Sequence, residues 1–133
     1  MKSAQTALYL AGRILLGLYF IVPGIMKVTG FAGTAEYMAA HGMAFVPFFL
    51  VLTIVIQIGG GLSLAIGYRV QEVSFVLAGL VLVISIVMHN FWTMEEGLQK
   101  GHEMQNFIKN MAIMAGLLVL AGGSGQATIA VKE

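Results

Sequence analysis

The sequence predicts an all-α membrane protein: a four-helix transmembrane bundle with short interfacial helices in the outer loops. Two observations predict it. The first is composition. Of 133 residues, 59% are hydrophobic and only 10% charged, whereas a soluble domain carries about 25% charge. The second is length. Apolar runs extend over roughly 7–26, 45–66, 72–90 and 106–122, and about 20 helical residues at 1.5 Å rise cross the ~30 Å hydrocarbon core of a bilayer. The expected organisation is one integral-membrane domain over residues 1–133. A net charge of +1 argues against nucleic acid as a partner, and the absence of cysteine excludes disulfides, a thiol redox centre and thiolate metal ligands.

The first run, Ala7–Met26, organises the rest. Lys2 followed by apolar residues resembles a leader, but Arg13 interrupts the run and no clean small-x-small site follows, so the segment reads as an uncleaved anchor. Arg13, Gly17, Phe20, Gly24 and Lys27 recur at intervals of four and three, which puts them on one helical face. A guanidinium at mid-membrane is costly on a lone helix, and glycines let a neighbouring helix come close, so this face points into a bundle. Pro23 is a possible kink site.

Residues 28–43 are less apolar. Thr34 reads as an N-cap and Gly42 as the residue just past a short helix, a connector more readily than a lid. The second span follows with Pro47 in its first turn and Gln57 near its middle. Gly59, Ser63 and Gly67 form a small-residue row, with Gly60 and Gly61 beside it. A mid-membrane amide needs a hydrogen-bond partner, and Arg13 is one candidate. In the third span Ala78, Ser85 and His89 share a face, and His89-Asn90-Phe91-Trp92 meets the interface. Thr93-Met94-Glu95-Glu96 reads as a capping box for another short helix. The fourth span begins near Asn106, with Lys109 and Asn110 at its start. The tail from Gly122 to Glu133 reads as loose or interfacial chain.

Four spans bring both termini to one side. Counting lysine and arginine by loop favours a cytoplasmic location for both. The same topology gathers Lys27, His89, Asn90, Trp92, Lys109 and Asn110 at the outer end of the bundle, as a candidate site for a quinone or an anion. Lysines there can hold an anion or a quinone carbonyl oxygen, and a histidine can pass protons near neutral pH. Structural roles compete: lysines snorkel to head groups and amides cap helix ends. Arg13 and Gln57 read as structural polar groups, and no catalytic residue is assigned. His41, His89, His102 and Glu103 fit no known ligand spacing, so no metal is expected, nor a covalent cofactor. The nine methionines read as core filler.

These residues also resemble a family. Gly12-Arg13-x-Leu-x-Gly17, then Gly24-x-x-Lys27-x-x-Gly30-Phe31, then Tyr37-Met38-x-x-x-Gly42 look like the first third of DoxX-like membrane proteins. His89-Asn90-Phe91-Trp92 and Phe107-x-Lys109-Asn110 resemble that family's third-helix end and fourth-helix start. The likeness runs from Ala11 to Gly123. It implies a four-helix bundle in the bacterial inner membrane and a place in a quinone-linked redox assembly dealing with sulfur, thiols or oxidative stress, with the lipid bilayer, a redox partner subunit or a second copy of the chain as partners. Members often carry a glutamate where this chain has Gln57, which puts proton movement at that position in doubt. The alternative is a non-catalytic scaffold or accessory subunit that holds a partner protein or a lipid through the small-residue faces. Transport comes last, because paired broken helices are not evident.

Overall fold

The computed structural model describes residues 2–123. Five α-helices follow in order: α1 Lys2–Thr29, α2 Phe31–Ala40, α3 Val46–Ile66, α4 Val70–Met88 and α5 Leu98–Gly122, with a single 3-10 turn at Phe91–Thr93 before α5. Among the described residues there is no strand. Four segments are long and apolar enough to cross a membrane: α1, α3, α4 with the turn that follows it, and α5. This is an all-α membrane protein. The connection between α1 and α3 carries an expected short helix, α2, whereas the one before α5 holds only the 3-10 turn. The chain divides into two compact units, Met1–Val70 and Gln71–Glu133.

The first unit is built on α1 against α3. The predicted α1 face is the one that packs, for its three buried residues are Gly17, Phe20 and Gly24. The contacts pair Arg13 with Gly67, Gly17 with Gly61 and Ala65, and Gly24 with Gln57 and Ile58. Ascending numbers on α1 meet descending numbers on α3, so the helices are antiparallel. At the tightest point two backbones meet. A Cβ placed on Gly17 would lie 2.6 Å from the Gly61 carbonyl oxygen, and one on Gly61 would lie 2.6 Å from the Gly17 carbonyl oxygen. Glycine is required there because the alternative clash is with main chain, which cannot rotate away. The small-residue row therefore differs from the one expected. Gly61 and Ala65 face α1, whereas Gly59 meets nothing within 4 Å. At 100° per residue, Gly59 lies on a different side of α3 from Gly61.

Caps decide the ends. α2 ends at His41 and Gly42, where Gly42 adopts φ 81°. Its N–H donates to the Ala39 carbonyl, and the Met43 N–H donates to the Met38 carbonyl, the two bonds of a Schellman motif. The expected role of Gly42 holds. Thr34 is not the N-cap; that position is Gly30, and Thr34 sits one turn inside α2. The α1 pattern simply persists to Thr29, so α2 starts earlier. α3 has Pro47 in its first turn and stops at Gly67, φ 84°, with the Gly67 and Tyr68 N–H groups both donating to the Ser63 carbonyl.

In the second unit α5 begins at Leu98, eight residues ahead of the expected start near Asn106. Its polar opening is made of good helix formers (Leu98, Gln99, Lys100, Glu103, Met104), and polarity by itself does not oppose a helix. Lys100 also reaches back to Glu96, Nζ to Oε1 2.9 Å. The expected capping box at Thr93 is not formed. Thr93 closes the 3-10 turn by donating from Oγ1 to the Asn90 carbonyl, and the residue before α5 is Gly97. The tail expectation falls almost wholly on residues 124–133, outside the described residues.

Candidate functional site

The second unit assembles a polar site at the mouth of the α4–α5 hairpin. α4 ends at Met88, and the His89 N–H still donates to the Ser85 carbonyl, which holds His89 at the helix end. From there the His89 ring meets α5. Its Nδ1 lies 3.2 Å from Glu103 Oε2, and the other carboxylate oxygen, Oε1, accepts from Asn106 Nδ2 at 3.0 Å. The Glu103 side chain is only 7% exposed and that of His89 19%. A carboxylate that far from solvent needs donors on both oxygens, and it has one on each. With Nδ1 turned to the Glu103 carboxylate, the other ring nitrogen, Nε2, is left for a ligand.

Three aromatic rings lie beside the pair. Phe91, Trp92 and Phe107 contact one another edge to face, with centroids 5.4, 5.7 and 5.5 Å apart. Glu103, Asn106, Phe107 and Asn110 fall on one face of α5, because offsets of three, four and seven residues return to the same side of a helix. Glu103 is the residue sequence reasoning undervalued. It was weighed only as a metal ligand, yet its spacing to Asn106 and Phe107 marks it as part of an inward face.

The sequence candidates separate into two groups. His89, Asn90, Trp92 and Asn110 belong to the second unit, as does Lys109. Lys109 is exposed and, six residues from Glu103, projects from another side of α5. Lys27 belongs to the first unit. It stands in the last turn of α1, as expected, and the antiparallel register places it level with Thr53 and Ile54, inside the α3 span. Arg13 and Gln57 do not pair. Arg13 lies at Gly67, the end of α3, with the Gly67 hydrogen facing its guanidinium and its carbon 5.6 Å above the Tyr9 ring. Gln57 lies ten residues before Gly67, about 15 Å along the helix. Both Arg13 Nε and Gln57 Oε1 are buried without a hydrogen-bond partner among the described residues. His89 and Glu103 come together, but among the described residues no group of three His, Cys, Asp or Glu forms that could hold a metal ion.

Helix number, span lengths and the absence of strand among the described residues define the class: a small helical membrane protein with four candidate spans. The DoxX family pattern matches residues 8–90, more than half of the chain, so the chain belongs to the DoxX family. It is similar to two proteins of Escherichia coli K12. The inner membrane protein YqjF is 35% identical over 121 residues, covering 91% of this chain and 87% of that protein. The inner membrane protein YphA is 29% identical over 119 residues, 90% of this chain and 84% of that one. No solved structure matches significantly.

Proposed function

We propose that this chain is an inner-membrane subunit that binds a quinone head group for a redox partner, with His89 as the group that meets the quinone. The observation that carries the reading is the His89–Glu103–Asn106 chain beside the three-ring cluster. A quinone head group is a flat apolar ring with two acceptor oxygens. Aromatic edges suit the ring, and a donor of adjustable protonation suits an oxygen. Glu103 holds the His89 ring through Nδ1, so Nε2 is the ring atom that meets the quinone oxygen and exchanges a proton with it, while Asn106 keeps the carboxylate aligned. Quinone reduction consumes two electrons and two protons. In this reading a cofactor-bearing partner subunit supplies the electrons, and His89, reprotonated from water after the first transfer, supplies both protons; the chain has no cysteine to serve as a thiol redox centre. The names of the two relatives support the inner membrane as its location.

Native mass spectrometry of the gently extracted protein tests the reading. A bound quinone is expected in the wild-type protein, lost in His89→Ala and weakened in Glu103→Gln. Lys109→Ala, on another face of α5, should bind quinone as the wild type does. A phospholipid or a protein partner in place of quinone, unchanged by His89→Ala, would favour the scaffold reading. That alternative rested on the small-residue faces of the first two spans. Gly17, Gly24 and Gly61 are engaged in holding α1 against α3, which leaves only rows such as the one through Gly59 for another chain.

A further inference from the structure

The first unit contains two polar groups that the redox reading does not use. Gln57 is 6% exposed, and its Oε1 has no hydrogen-bond partner among the described residues. Lys27, half-buried, makes no ion pair or hydrogen bond among them either. Both lie on the α1–α3 seam. Gln57 roots directly against Gly24, where a glycine Cβ would come 3.3 Å from the Gln57 Cβ, and Lys27 follows Gly24 by one turn on the same face. Gln57 is near the middle of the 21-residue α3, so the pair sits at hydrocarbon depth. The single acid of this unit is Glu36, exposed on α2, against four basic residues, Lys2, Arg13, Lys27 and Arg69. An ammonium and an amide carbonyl held at that depth without partners are expensive to keep, and intramembrane polar groups of this kind mark ligand sites.

Their chemistry narrows the ligand. The ammonium only donates, and the amide oxygen only accepts. A carboxylate or ketone satisfies the first alone, and an alkylammonium the second alone. A hydroxyl does both: its hydrogen goes to Gln57 Oε1 and its oxygen accepts from Lys27 Nζ. At this depth the hydroxyl must ride on an apolar body. Among lipophilic hydroxyls a phenol matches best, because its hydrogen is more acidic than an alcohol's and is the stronger donor to Gln57 Oε1. We infer that the α1–α3 seam binds the hydroxyl of a lipophilic phenol between Gln57 and Lys27. The inference uses only α1 and α3 and does not rest on the quinone reading at His89.

The test uses the full-length protein in lipid nanodiscs and a long-chain alkyl nitrophenol, whose phenolate absorbs in the visible. At a pH that half-ionises the free probe, wild-type protein should bind the neutral phenol saturably and lower the phenolate absorbance, because the bound hydroxyl keeps its hydrogen for Gln57 Oε1. Lys27→Met should weaken that binding. Gln57→Leu and Gln57→Met should weaken binding at least tenfold, while the probe-free variants unfold at or above the wild-type temperature, because an unpartnered buried amide has been removed. His89→Ala should leave probe binding unchanged. Three results overturn the inference. One is binding that is unsaturable or equal in all variants. Another is displacement of the probe by a long-chain alcohol as readily as by a phenol. The third is a fall in unfolding temperature in both Gln57 variants without probe, which would make Gln57 a structural hydrogen-bonding residue.

Discussion

The two compact units treat buried polar groups in opposite ways. In the α4–α5 hairpin a buried carboxylate has a donor on each oxygen, His89 on one and Asn106 on the other. On the α1–α3 seam the close approach of main chains at Gly17 and Gly61 brings Gln57 against Gly24 and leaves its amide oxygen without a partner. The first arrangement holds its geometry without help. The second has polar capacity left over. Network and orphan differ because of the residues around them. α5 opens with a polar, helix-forming stretch that can supply partners, whereas α1 and α3 offer one another mainly glycine, alanine and branched aliphatics. The contrast is not absolute, since Ser74 and Ser85 of α4 also keep unpartnered hydroxyls, but a hydroxyl costs less to leave unpaired than a charged or amide group.

The comparison can be broken most severely at the glycine contact. Gly61→Val should destabilise the protein by about 3 kcal/mol or more, since the added carbons meet the Gly17 backbone and the helices must separate. Thermal unfolding in mild detergent would show this, with Gly17→Val behaving alike. An unchanged melting temperature in both would mean that the seam is not tightly packed. Glu103→Ala comes next. It leaves His89 and Asn106 without their acceptor and should cost about 1–3 kcal/mol, read by the same measurement, with Glu103→Gln recovering part of it through its remaining carbonyl oxygen.

Smaller effects sharpen the picture. Gly67→Ala forces a Cβ into a left-handed position, φ 84°, against the Arg13 guanidinium, with an expected loss of about 1–2 kcal/mol. Phe107→Leu removes two ring contacts and should cost about 1–2 kcal/mol, with a change in Trp92 fluorescence because Trp92 loses the edge of its neighbour. Gly59→Ala should be neutral or slightly stabilising, because nothing lies within 4 Å of the added carbon and alanine is the better helix former. A large loss at Gly59 would show that the open face is in contact with another chain or a lipid.

Much of the fold was legible in the residues. The spacing of Gly17, Phe20 and Gly24 named the face of α1 that packs, and Gly42 named the end of α2, because a helical period and a left-handed cap are local properties. Helix starts were less legible. Thr34 and Thr93 both satisfy a capping pattern, yet neither caps a helix, since a side-chain cap is a weak preference that an already favourable helix on either side overrides. The candidate site was half legible. His89, Asn90 and Trp92 stand out as a polar and aromatic string where an apolar span ends. Glu103 stands out less, because a glutamate in a polar stretch reads as solvated and only its helical spacing to Asn106 and Phe107 marks it as facing inward.

The sequence by itself determined that this is an all-α membrane protein with four spans, because apolar length and helical periodicity are written residue by residue and the bilayer permits few alternatives. It also carried the DoxX likeness. Only the tertiary structure decided which polar groups meet. The antiparallel register of α1 on α3 sent Arg13 to the end of α3 and Gln57 to Gly24, and the early start of α5 brought Glu103 to His89 at the end of α4. Register depends on how two particular surfaces fit, here on two glycines meeting backbone to backbone, and a shift by one turn would exchange every polar partner along the seam.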